Sequence, residues 1–130
     1  MPNEVELLVE WQKRLGLQDW LIELQTNVSP EEMDLQYADG CVAYEETVKA
    51  ARIQTIDPSK RLETNTEERI VCLRPFNFEE VLVHELLHLK FCLLEKGTNW
   101  EKKLQLRMLH QIIDDLSRAL VNAKEYKNEK

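Results

Sequence analysis

At 130 residues the chain has the length of one ordinary domain, and its 43% hydrophobic content suffices for a single core. No apolar stretch approaches the ~20 residues that span a bilayer. The opening MPNEVELLVEW is acidic where a signal peptide is basic, so a cytoplasmic protein with no membrane partner is expected. A net charge of −7 with a pI near 5.0 argues against a nucleic-acid partner, which needs a basic patch.

Residues 3–15, NEVELLVEWQKRL, set Val5, Leu8, Val9 and Leu15 at helical spacing, with Asn3 as N-cap and Gly16 as stop. DWLIELQT, 19–26, alternates in part and predicts a strand. Residues 27–39 hold Pro30, several acids and an Asp39-Gly40 pair, and read as a loop with at most one helical turn. GCVAYEETVKAARIQTI, 40–56, predicts a hairpin with strands near 41–46 and 49–57. The polar stretch 57–69 is a loop. RIVCLR, 69–74, reads either as a last strand or as an extended lead-in to the helix that follows.

From there the period changes. Asn77 caps a helix with Glu79 and Glu80 in its first turn, where the dipole favours acids, and the helix runs to about Lys96 before Gly97. A second helix starts at Thr98 or Asn99 and continues to about residue 124, with Leu109, Ile112, Leu116 and Leu120 as its core stripe. KKLQLR, 102–107, is the nearest thing to a basic cluster; nearby acids balance it, and it reads as a solvated face of that helix. The expected fold is therefore a single α+β domain over residues 1–130. It has an N-terminal helix, a small twisted sheet of three or four mainly antiparallel strands, and two long helices packed as an αα-hairpin over that sheet.

The first long helix, EEVLVHELLHLKFCLLEKG, carries His84, Glu85 and His88 inside an apolar run. Positions i and i+4 of a helix lie about 40° apart around its axis and roughly 6 Å apart along it. Two imidazoles so placed can chelate one tetrahedral ion, and Zn²⁺ accepts histidine nitrogen readily. Glu85 flanks the same face and can take a proton from a water that the metal has acidified to a pKa of about 7. Left without a metal, three polar side chains in a buried helix would be costly.

A catalytic zinc has three protein ligands and an open position. The chain's one remaining histidine, His110, is the first candidate for the third ligand. It follows a bend at 97–99 by about eleven residues, as His88 precedes it by about ten, so antiparallel packing sets the two at matching heights. Asp114, one turn later, either orients His110 or serves as a second-choice ligand. Glu95 and Glu101 are poorer choices, one too near His88 on the same helix and the other too near the bend. Cys41, Cys72 and Cys92 contain no CxxC pair and are expected as reduced, mostly buried thiols, although Cys92, four residues after His88, is within reach of the same metal.

LVHELLHLKF, 82–91, followed by LHQIIDDLSRALV, 109–121, resembles the zincin metallopeptidases, and specifically the compact minigluzincin-like group of small bacterial and prophage proteins. The resemblance covers the C-terminal third firmly and the lead-in only in outline. It implies a zinc-dependent peptidase with His84 and His88 as ligands and Glu85 as general base. In that group the third ligand is usually a glutamate; the matching position here is His110, and other zincins use histidine there. The resemblance also implies an edge strand, RIVCLR or one strand of the hairpin, that pairs with an extended peptide substrate. Tyr44 is a candidate for stabilising an oxyanion. Two other readings fit the same residues: a non-catalytic, zinc-stabilised binding module with a closed four-ligand site, and a degenerate relative with an empty one.

Overall fold

The structure, a computed structural model, describes residues 3–34, 38–61, 75–92 and 100–128 of the chain, with side chains of the last helix described over 106–125. Helix α1 spans Glu4–Leu15, strand β1 Leu21–Val28, strand β2 Gly40–Glu45 and strand β3 Ala50–Ile56. Helices α2 (Phe78–Lys90) and α3 (Trp100–Asn128) follow and pack against each other. Short 3₁₀ turns at Pro30–Glu32 and Pro58–Lys60 sit in the connections. No helix among the described residues is long and apolar enough to cross a membrane.

The predicted ends of α1 are the observed ones. The Asn3 side chain accepts the Glu6 amide at 2.8 Å while Glu6 reaches back to the Asn3 amide, a capping box. Gly16 closes the helix at φ 70°, and its N–H reaches the Gln12 and Lys13 carbonyls. The buried face differs from the expected one. It carries Leu8 and Trp11, with Leu7 and Leu15 packed against the core, whereas Val5 and Val9 face solvent.

The three strands run in the order β1-β3-β2, with β1 parallel and β2 antiparallel to the central β3. The sheet is thus mixed rather than mainly antiparallel. After β1 the chain crosses to the far edge and returns through the β2–β3 hairpin, so β3 inserts beside β1 in the same direction. Both faces of β3 are covered: Ala51 and Ile53 join the main core under the helices, while Gln54 and Ile56 lie on the opposite face. There Cys41, Val28 and Met33 form a second small cluster.

Asn77 caps α2 as expected, accepting the Glu80 amide at 3.1 Å. The helix ends earlier than predicted, at Lys90, where Phe91 and Cys92 turn into the main core. Leu82, Val83, Leu86, Leu87 and Leu89 are all buried, so α2 is covered over most of its circumference. On α3 the expected stripe is displaced. The buried residues are Ile113, Ser117 and Val121; Leu109 and Leu120 are only partly buried, and Ile112 and Leu116 are exposed. A shift of one residue turns a helix by about 100°. The face thereby turned inward is the one that carries His110 and Asp114. The predicted bend at 97–99, the RIVCLR segment with Cys72, and Glu95 lie outside the described residues, as does the side chain of Glu101.

Candidate metal centre

Helix periodicity alone places His84 and His88 on one side of α2, and burial on the remaining sides leaves that side as the wall of a cleft. Their Nε2 atoms are 3.2 Å apart. Two nitrogens bonded at 2.0–2.1 Å to one tetrahedral zinc would be about 3.3 Å apart. His110 comes in from α3, with ring centroids 4.9 Å from His84 and 5.4 Å from His88. Each of the three residues offers a ring nitrogen, and these atoms all lie within 4.8 Å of one another. The donor set fits a zinc ion: three imidazoles from two helices, already near tetrahedral spacing for one pair.

Glu85 is 4% exposed and lines the same cavity of about 840 Å³, whose walls are α2, α3, β2 and Arg61. Strand β2 turns Gly40, Val42 and Tyr44 towards the helices by its period of two, and all three line the cavity. A Cβ at Gly40 would lie 2.5 Å from Val81 Cγ1 and 3.4 Å from Glu85 Cγ. The strand therefore packs on the helix at the level of Glu85 only because this residue has no side chain. Tyr44 stands at the cavity wall with its ring edge-on to Trp20, centroids 6.5 Å apart.

Asp114 was expected to serve His110 or to ligate. The structure places its Oδ1 3.5 Å from His84 Nδ1, and its Oδ2 against Arg118 Nη2. Asp114 thus reaches from α3 to the outer nitrogen of a histidine on α2. Cys92, weighed as a ligand, is buried in the main core and does not line the cavity. Elsewhere in the wall, Arg61 grips Asp39 through two bonds of 2.8 Å, and Asp34 pairs with Arg52. The hydrogen bond that Arg52 donates to the Asp34 carboxylate holds the guanidinium above its ordinary pKa.

Sequence reasoning brought together His84, Glu85, His88, His110 and Asp114, and all five line this cavity. It missed Gly40 and Arg118. Glycine beside Asp39 reads as a turn rather than a close approach, and Arg118 carries only the signal of its spacing, four and eight residues after Asp114 and His110. No family model matches the chain, and no curated protein or solved structure was found to be similar to it.

Proposed function

We propose that the chain is a zinc-dependent metallopeptidase, with His84, His88 and His110 holding the ion and Glu85 acting as general base. The observation that carries this reading is the convergence of three histidine nitrogens within 4.8 Å in the wall of an open cleft, beside a buried glutamate. A bound zinc supplies Lewis acidity towards a carbonyl oxygen and makes water acidic enough to ionise near neutral pH. Glu85 accepts the proton of the attacking water and delivers it to the leaving amine. Its burial keeps that proton exchange out of bulk solvent. Strand β2 is an edge of the sheet among the described residues and runs along the cavity, so an extended peptide can add to it by backbone hydrogen bonding.

A closed, purely structural zinc site would need a fourth protein ligand. Cys92 lies in the core and the Asp114 carboxylate is engaged by Arg118, which supports the catalytic reading over the structural one. The test is Glu85→Gln. Metal analysis of the purified protein is expected to give one zinc per chain in wild type and variant alike. Hydrolysis of a mixed peptide library is expected to fall at least a hundredfold in the variant, the lower bound for loss of a general base. A variant as active as wild type, or a wild type that retains no zinc, would overturn the assignment.

A further inference from the structure

His110, Asp114 and Arg118 follow one another at intervals of four along α3, and all three line the cavity. A carboxylate four residues after a histidine has the spacing at which His84 and His88 converge on α2, so a change of rotamer would turn it towards an ion held there. Zinc accepts such an oxygen at about 2.0–2.2 Å. The chain therefore carries beside its metal centre a donor able to fill the position that a hydrolytic zinc must keep open.

Both oxygens of Asp114 are engaged elsewhere. Oδ1 lies 3.5 Å from His84 Nδ1, on the far side of a ring whose Nε2 faces His88. Oδ2 is taken by Arg118 Nη2, a further turn away from His110. The Arg118 guanidinium also lies 3.8 Å from Asp115 Oδ1, so two carboxylates hold it in place. Being planar and permanently charged, it binds carboxylate with more directional constraint than an ammonium would. Nearby, Ser117, 2% exposed, donates to the Asp114 carbonyl at 2.8 Å.

We infer that Arg118 keeps Asp114 out of the coordination sphere of a metal held by His84, His88 and His110, and so keeps the fourth position open. Arg118 is a positioning residue acting through Asp114. The inference rests on the metal-binding reading above, and its test separates the two.

The probe is the protein loaded with Co²⁺ and titrated with azide, followed by the visible absorption of the metal. Wild type is expected to bind one Co²⁺ and to change its spectrum as azide enters the open position. In Arg118→Met, with folding checked by far-ultraviolet circular dichroism, Asp114 is free to ligate. The azide response is then expected to weaken at least tenfold or vanish, with Co²⁺ still bound. Arg118→Gln gives the same reading if the methionine variant does not fold. Adding Asp114→Asn, a poor ligand of the same shape, to the Arg118 variant is expected to restore the azide response. An Arg118 variant that takes azide as wild type does, or a double variant that fails to recover, overturns the inference and leaves the metal centre standing. A wild type that binds no Co²⁺ overturns the metal centre itself.

Discussion

Gly40 shows how a single missing side chain can set the geometry of a cleft. Its backbone is not in the left-handed region, so conformational freedom is not the reason for glycine here. The reason is contact: a Cβ would come within 2.5 Å of Val81 Cγ1 and 3.2 Å of the Gln54 carbonyl oxygen. The valine methyl can rotate, but the carbonyl belongs to the central strand and cannot yield cheaply. Gly40→Ala is expected to cost about 1–3 kcal/mol in urea denaturation, the usual range for overpacking. By pushing β2 off α2 at Glu85, it should also lower peptide hydrolysis more than it lowers zinc binding. Equal losses of both would point to general unfolding instead. The contrast with His84, Glu85 and His88 explains what a sequence discloses about a site. Those three are legible because their chemistry is distinctive and their spacing is set within one helix. His110 is legible by elimination, as the chain's only other histidine. Gly40 and Arg118 act through neighbours distant in sequence or through charge pairing that any surface arginine can make, so residue type alone does not mark them.

At the level of elements, α1 and the start of α2 follow from local chemistry, because caps satisfy backbone groups within a few residues and need no tertiary partner. The sheet is a different case. Alternation tells which face a residue occupies, but nothing in it tells β3 to lie parallel to β1, a pairing made through a crossover. Helix α3 is the most instructive error. Leu109, Ile112, Leu116 and Leu120 form a good apolar stripe, yet the helix buries Ile113, Ser117 and Val121 on the neighbouring face, which also carries Asp114, half-buried, and His110, exposed at the cleft. Polar residues needed at the cleft interrupt the buried stripe and disguise it as a solvent face. This assignment predicts opposite outcomes at adjacent isoleucines. Ile113, 0% exposed, should cost about 2–5 kcal/mol when replaced by alanine. Ile112, 50% exposed, should cost no more than about 0.5 kcal/mol. Denaturation midpoints of the two variants check this directly, and comparable losses would mean that the stripe read from sequence is the buried one after all.

Over the whole molecule, polar side chains among the described residues bring α2 and α3 together at two places, beside their apolar packing. One is the histidine cluster. The other is Lys124 on α3, whose ammonium contacts Glu79 of α2 at 2.6 Å and also Glu10 of α1, while Trp11 Nε1 donates to the same Glu79 oxygen at 2.6 Å. Burial by itself lowers the pKa of Lys124, but the hydrogen bonds to Glu10 and Glu79 outweigh it and leave the group above its ordinary 10.5. A raised folded pKa means that the contribution is complete below the unfolded value and is lost as pH rises through the folded one. Wild type should therefore lose stability above about pH 10.5 more steeply than Lys124→Met, which lacks the charge; parallel curves in alkaline urea titrations would rule out the clasp. At neutral pH, losing these charge-assisted bonds should cost roughly 2 kcal/mol. A metal bound by the proposed histidine ligands would act on the same helix pair by mass action. Zinc at a hundredfold its dissociation constant should add about 2.7 kcal/mol. With an unfolding entropy of ~2.1 cal/mol/K per residue, that raises Tm by roughly 10 °C for this chain. His110→Ala should lose most of that rise, since it removes the ligand proposed for α3. Lys124→Met should retain it from a lower starting Tm, because the two fastenings share no side chain and their effects should add. Scanning calorimetry with and without zinc distinguishes the cases. A zinc-dependent rise unchanged in His110→Ala would mean that the ion is held by α2 alone, and the cleft would then lack the ligand that joins its two walls.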